Sequence, residues 1–310
     1  MDLFKSTKKN LRCILQKVGY DICKIYKKNV RGGKQYMNIG NFSLTMPLEH
    51  ELPNILYSYP SYSQNLPNIV SFVVKKYTAL GIVDVGANIG DTVALILNKV
   101  KEGISFLCIE GNSEYIPYLI NNLSGINNLK IIDSYLSDIR SKNIVDVITE
   151  HGSAHIKEGL CSCEVEFVTL DSIMEELQDV MKYKLLKIDT DGFDFKIMKG
   201  GLKYIKKVCP VIFFEYDRDY LNAQNDYGFE MFTDLFDIGY DSFLVYDCFG
   251  NFLMPIEKNN FNVIFYYLDK YIQGKRKAIM YFDICAFNSI DHDLFNEILN
   301  YEMNKNENRF

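Results

Sequence analysis

Short apolar runs alternate along this chain with longer stretches whose apolar positions recur every three or four residues. The runs predict strands at 81–85, 104–109, 129–132, 165–169, 185–188, 211–214, 242–246 and 263–267. The periodic stretches predict helices over 66–77, 91–100, 113–123, 171–177, 193–206 and 228–238. Strands separated by helices of this length imply an α/β fold with a parallel sheet covered on both faces. The runs at 104–109 and 211–214 are almost wholly apolar, as strands buried on both faces must be. Ahead of this pattern, 36–39 and 42–46 read as a small hairpin, followed by a lead-in broken by Pro47, Pro53, Pro60 and Pro67. Late in the chain, Gly250-Asn251 marks the turn of an antiparallel hairpin at one sheet edge.

The first 34 residues differ from the rest. Lys5, Lys8, Lys9, Arg12, Lys17, Lys24, Lys27, Lys28, Arg31 and Lys34 are opposed by Asp2 and Asp21 alone. Leu11, Ile14, Leu15, Val18, Ile22 and Ile25 recur at near-helical spacing, which predicts a basic amphipathic helical extension. Such a face either packs on the main domain or contacts an anionic membrane surface peripherally. Three parts are expected: 1–65, the basic segment and lead-in; 66–270, the main domain; and 271–310, a C-terminal extension.

The chain has 310 residues, 48% hydrophobic and 24% charged, as in an ordinary globular protein. No run of 18 apolar residues predicts a membrane span, and the start lacks the pattern of a secretory signal. The eight cysteines are scattered without a CxxC pair, as expected of reduced thiols in a cytoplasmic protein. A net charge of −6 argues against a generic nucleic-acid binder.

In open α/β sheets ligands sit beyond the carboxyl ends of the strands, so the residues standing there carry the chemistry. The first strand opens into Asp84-Val85-Gly86-Ala87-Asn88-Ile89-Gly90-Asp91-Thr92, a strand, tight turn and helix N-terminus. The second ends in Glu110, placed to accept both hydroxyls of a ribose. The glycine spacing is GxxxG rather than GxGxxG, and Asp91 at the helix start would repel a pyrophosphate. A nicotinamide dinucleotide is therefore disfavoured, and a cationic ligand with a ribose fits better. S-adenosylmethionine is such a ligand, with Asp84 expected to face its ammonium group. Further acids end later strands: Asp189 and Asp191 after 185–188, and Glu215 after 211–214.

The segments 82–92, Cys108-Ile109-Glu110-Gly111-Asn112, Val168-Thr169-Leu170-Asp171-Ser172, Leu185-Leu186-Lys187-Ile188-Asp189-Thr190-Asp191-Gly192-Phe193-Asp194 and Pro210-Val211-Ile212-Phe213-Phe214-Glu215 resemble, in order and spacing, the motifs of FkbM-type S-adenosylmethionine-dependent methyltransferases. The resemblance covers about 66–267. It implies a class I (Rossmann-like) mostly parallel seven-stranded sheet with helices on both faces. It also implies methyl transfer, usually to oxygen, with Asp84, Gly86, Asn88, Gly90, Asp91, Thr92, Glu110, Gly111 and Asn112 at the cofactor. Gly111 replaces a frequent proline, and Asp191 stands where glutamate is more usual. Tyr62–Pro67 and Tyr281–Phe287 resemble segments of members associated with surface-glycan biosynthesis.

A hydroxyl acceptor gains from a base within hydrogen-bond reach. Asp189 is the first candidate, then Asp191, then His155 and His151 in the turn-rich stretch 151–155, which could fold over the site. Asp189, Asp191 and Glu215 could instead hold a divalent cation such as magnesium. Asp194 reads as first-turn helix electrostatics, and Lys187 and Lys199 as solvated or salt-bridged. The reading is a cytoplasmic O-methyltransferase acting on a sugar or glycan precursor, with the basic segment either packed on the domain or at the inner face of a membrane. The alternatives are an N- or O-methyltransferase of a lipid or natural product, and a silent fold that binds S-adenosylmethionine or a partner.

Overall fold

A computed structural model of the chain describes residues 28–150, 152–157, 163–224, 229–273 and 279–307. Most of the basic N-terminal segment lies outside the described residues, and so does His151. The described chain opens with a three-stranded antiparallel sheet, β1 (Asn29–Arg31), β2 (Lys34–Ile39) and β3 (Phe42–Met46). Helices α1 (Leu52–Ser58) and α2 (Asn65–Lys76) form the lead-in. The chain then alternates as expected: β4 (Leu80–Val85), α3 (Asp91–Lys99), β5 (Ile104–Glu110), α4 (Ile116–Leu123) and β6 (Leu129–Asp133).

A four-stranded insertion follows, of β7 (Tyr135–Leu136), β8 (Ser141–Glu150), β9 (Ser153–Lys157) and β10 (Cys163–Val168). The run at 165–169 is therefore a strand of this side sheet and not of the central one. After α5 (Leu170–Glu175) come β11 (Tyr183–Ile188), α6 (Asp194–Lys199), α7 (Leu202–Val208), β12 (Val211–Tyr216), α8 (Arg218–Ala223) and α9 (Phe229–Ile238). The single helix expected over 193–206 is two. Gly200-Gly201 separates them, and the Asp171 carboxylate accepts from the Lys203 and Tyr204 N–H groups at the start of α7. The chain closes with β13 (Tyr240–Asp247), β14 (Phe252–Glu257), α10 (Phe261–Gln273), β15 (Phe282–Asn288) and α11 (His292–Glu307).

The central sheet has eight strands in the order β14-β13-β15-β12-β11-β4-β5-β6. The pairs from β12 to β6 are parallel, whereas β15 pairs antiparallel with both β12 and β13. This is the class I methyltransferase sheet, with β14 added antiparallel at one edge. Two expectations change. Residues 263–267 belong to helix α10, and the antiparallel strand is Phe282–Asn288, inserted inside the sheet from the expected C-terminal extension.

Alternate residues of each central strand enter cores on opposite faces, as a doubly covered sheet demands. In β4, Leu80 and Ile82 pack with α2, α3 and α11, while Val83 and Val85 pack with the α5–α7 and α9–α10 side. Hairpin β2–β3 and α1 form a third core with Ala94, Leu95 and Tyr115. That core holds the lead-in against the carboxyl end of the sheet.

Candidate functional site

The turn after β4 is pinned from both sides. Gly86 and Ala87 donate to the Ile109 carbonyl at 3.0 and 3.2 Å. Gly86 has φ +74°, and a Cβ there would lie 1.9 Å from the Asp189 carbonyl oxygen. Its freedom is needed because two strand ends cross in contact. Gly90 likewise packs on the Leu123 side chain. The two glycines thus serve close approach of protein to protein, and Gly86 also lines the cleft beside Glu110.

Asp84 is a correction. It is fully buried, and its carboxylate pairs with Lys187 Nζ at 3.0 Å, so it faces the lysine and not the open site. Lys187 also donates to the Gly86 carbonyl at 3.0 Å and lies 3.5 Å from the Asp189 carboxylate. Burial by itself would lower the Lys187 pKa, but Asp84 and Asp189 outweigh it and hold the ammonium charged. A lysine inside an otherwise apolar run, Leu185-Leu186-Lys187-Ile188, was the available signal of a buried pair.

Glu110 ends β5 with its carboxylate nearly buried, accepting from Asn88 N–H at 2.7 Å and Asn112 N–H at 2.8 Å. Burial pushes its pKa up, and those two N–H groups oppose the rise. A narrow cleft runs past it, walled by Gly86, Asn88, Ile109, Gly111, Ser134, Tyr135, Leu136, Asp189 and Phe193. Its walls combine apolar side chains with the carboxylates of Glu110, Asp189 and Asp191, and an adenosine fits there with its ribose at Glu110.

A larger cavity of about 420 Å³ opens on the other side of the Gly86 turn. His50, Tyr59, Tyr62, Asp91, Thr92, Asp189, Asp191, Glu215, Tyr220, Phe249 and Tyr281 are among its lining residues. Asp189 is half-exposed at the end of β11, with Asp191 in left-handed backbone (φ +50°) two residues on. Asp194 staples this turn, accepting from Thr190 N–H and Oγ1 at 3.2 and 2.8 Å and from the Glu215 N–H at 3.2 Å. Burial first, then Asp189, raises the Asp194 pKa to about 6. Burial and the neighbouring carboxylates Asp189, Asp191, Asp194 and Asp217 push Glu215 well up.

Behind this cavity lies a smaller chamber shared by Tyr62, Asn65, Asp91, Lys187, Asp189, Glu215, Tyr281 and Asp283. Asn65 Nδ2 donates to Asp283 Oδ2 at 2.9 Å across 218 residues of chain. The Tyr62–Pro67 and Tyr281–Phe287 segments thus meet here. Burial is the main cause that raises the Asp283 pKa to about 7. Lys187, read from sequence as solvated or salt-bridged, is salt-bridged here. His50 stands at the site without having been singled out from sequence, and Tyr62, Tyr281 and Asp283 were named only within their segments. His155 sits in β9 opposite Ile148. The β8–β9 turn does reach the site, where Gly152 lines the cavity and its carbonyl accepts from Asn88 Nδ2 at 2.7 Å. Among the described residues no group of three or more His, Cys, Asp or Glu side chains is arranged to hold a metal ion. Asp189, Asp191 and Glu215 are not gathered into a cation site, and Asp189 is turned to Lys187.

A profile of the methyltransferase FkbM domain matches residues 84–242, which include the Gly86 turn, Glu110 and the Asp189 turn. The chain belongs to the FkbM methyltransferase family. It is accordingly an S-adenosylmethionine-dependent methyltransferase. Among solved structures it is similar to an FkbM methyltransferase from Methylobacillus flagellatus KT, at 16% identity over 53% of this chain and 39% of that one, with a TM-score of 0.38. This chain therefore spans well under half of that protein's length. It is also similar to the N-methyltransferase NodS from Bradyrhizobium japonicum WM9, at 8% identity over 74% and 96% of the two chains, with a TM-score of 0.40. A third is TYW2 from M. jannaschii, in complex with AdoMet, at 11% identity over 86% and 90%, with a TM-score of 0.39. No curated protein matches the chain. No helix among the described residues is long and apolar enough to cross a membrane.

Proposed function

We propose that this FkbM methyltransferase methylates a hydroxyl of a sugar in a surface glycan or its precursor. The observation that carries the reading is the cavity of about 420 Å³ beside Asp189, which combines tyrosine and phenylalanine rings with carboxylates. Rings offer apolar faces to sugar C–H groups, and carboxylates accept sugar hydroxyls. S-adenosylmethionine supplies an activated methyl, so positioning accounts for much of the rate. Glu110 and the cleft beside it hold the adenosine, and Asp91 and Thr92 line the cavity. Asp189 opens onto the cavity from the end of β11 and takes the acceptor's proton. Lys187, 3.5 Å away, keeps that carboxylate oriented.

The test is a radiolabelled-methyl transfer screen across glycans, lipids and small molecules. Label is expected in an alkali-stable sugar ether. Label confined to lipids or to amines would overturn the sugar hydroxyl. With an acceptor in hand, Asp189→Ala should lose about a hundredfold or more in kcat, the usual worth of a positioned base. The basic segment ahead of Tyr36 fits docking on an anionic membrane, where lipid-linked glycans are assembled. Liposome co-sedimentation of the full chain against a chain starting at Tyr36 tests this, and equal binding by both refutes it.

A further inference from the structure

We infer that His50 is a positioning residue for the methyl donor: it fixes Asn88, whose backbone N–H holds the Glu110 carboxylate. The inference rests on the reading of Glu110 as the ribose ligand, and it assigns a part of the cofactor site to the lead-in, outside the segment 84–242 that defines the family.

Three separate chain segments meet at Asn88. The ring of His50 is buried between β3 and α1, with its main-chain carbonyl accepting from Gln35 Nε2 at 2.9 Å. Its Nδ1 lies 3.3 Å from the Leu52 N–H, which can only donate. Nδ1 is therefore the acceptor nitrogen, and Nε2 carries the proton. Nε2–H donates to Asn88 Oδ1 at 3.2 Å. With Oδ1 accepting, the other end of the same amide donates through Nδ2 to the Gly152 carbonyl at 2.7 Å. The Asn88 amide is thus oriented from both ends, by the lead-in on one side and the β8–β9 turn on the other.

This matters because Asn88 has φ +48°, a left-handed conformation that a non-glycine residue keeps only when its surroundings hold it. In that conformation its N–H points at Glu110 Oε2 at 2.7 Å. The contact is tight on every side. The edge of Tyr115 meets the His50 ring with centroids 6.0 Å apart, and a Cβ on Gly152 would come within 2.9 Å of the ring. The charged groups that face His50 are Glu51 beside it and Lys28 ahead of β1. Burial, with Lys28 acting in the same sense, outweighs the Asn88 bond and Glu51 and lowers the ring's pKa, which keeps the neutral tautomer that the two bonds require.

Two amide side chains dissect the ring. Glutamine reaches as far as Nε2 and keeps a donor for Asn88. Asparagine reaches as far as Nδ1 and keeps an acceptor for the Leu52 N–H. Calorimetry with S-adenosylhomocysteine on the full chain at neutral pH is expected to show His50→Asn weakened about fivefold to tenfold, the worth of one positioning hydrogen bond. His50→Gln should stay within about threefold of the parent on the same scale. Equal affinity in all three proteins, or weakening in His50→Gln with His50→Asn intact, overturns the inference, since the second result would make the ring a local support for α1. If His50→Asn does not fold, Asn88→Gly makes the same cut while keeping the left-handed backbone, and unchanged binding there is equally decisive against it. Glu110→Ala separates the two levels. Weakened binding in Glu110→Ala beside parental binding in His50→Asn rejects this inference alone, whereas parental binding in Glu110→Ala rejects the ribose reading on which it stands.

Discussion

Lys187 stands in a strand whose neighbours are apolar, and its charge is kept there by what surrounds it. Asp84, the Gly86 carbonyl and Asp189 lie 3.0, 3.0 and 3.5 Å from its ammonium, so one cation joins the ends of β4 and β11. Removing it leaves the buried Asp84 carboxyl without its cation in a site from which water is excluded. Lys187→Met is expected to cost about 3–5 kcal/mol in denaturant unfolding, the penalty of one orphaned buried charge. Adding Asp84→Asn should recover much of that loss, and a double variant as unstable as the single one would show that the pair is not the source. Gly86→Ala forces a Cβ to 1.9 Å from the Asp189 carbonyl at φ +74°, so it should both destabilise the fold and weaken S-adenosylhomocysteine binding. Parental binding by that variant would contradict the crossing of the two turns. The strand-end residues Glu110, Asp189 and the Gly86 turn were legible because motif and strand context coincide. The partners of Lys187, and the places of His50 and Asp283, were not, because a lone polar residue in sequence does not reveal which distant segment it meets.

At the scale of elements, periodicity located the central strands and most helices because each must bury a defined face. It failed at 263–267, where Val263, Tyr266 and Tyr267 are exposed and Phe261, Phe265 and Ile272 are buried. A five-residue apolar run fits a strand or one side of a helix, and only the buried stripe at 261, 265, 269 and 272 distinguishes them. That stripe packs into an aromatic cluster. Phe232 lies 4.5 Å from Phe261 and 4.7 Å from Phe265, ring centre to ring centre, and also meets Phe195, Phe214 and Phe243. It is the ring common to α6, α9, α10, β12 and β13. Phe232→Ala should therefore cost about 3–5 kcal/mol in chemical unfolding, near the upper range for a buried ring. A loss below about 1 kcal/mol would mean that the cluster closes over the gap. The strand Phe282–Asn288 escaped assignment to the sheet for a different reason. Its partners β12 and β13 are fixed by tertiary insertion, which no local pattern encodes.

Across the whole molecule the carboxyl end of the sheet accumulates acids faster than it accumulates cations. Asp91, Asp189, Asp191, Glu215 and Asp283 line the two joined chambers, and Lys187 is already engaged by Asp84. Burial raises Asp194 to about 6 and Asp283 to about 7. A carboxyl whose pKa is higher in the folded state binds more protons folded than unfolded between its two pKa values. Stability is then fully present at low pH and falls as pH rises through the folded value. His50 acts in the opposite sense. Its pKa is lowered, so its neutral form supports the fold at high pH, and that support is lost as pH falls below the ordinary value of 6.5. Above about pH 6.5 the histidine no longer contributes a slope, whereas Asp283 is still giving up its proton. Between about pH 6.5 and about pH 8 the thermal midpoint should fall, with a slope that cannot exceed about 1.4 kcal/mol per pH unit for each titrating group. Asp283→Asn keeps an amide beside Asn65 and removes the titration, so its midpoint should run flatter across the same window. A parent chain whose midpoint is level or rising there, with Asp283→Asn parallel to it, would mean that Asp283 is ionised in the folded state and that the rear chamber holds more negative charge than its burial favours.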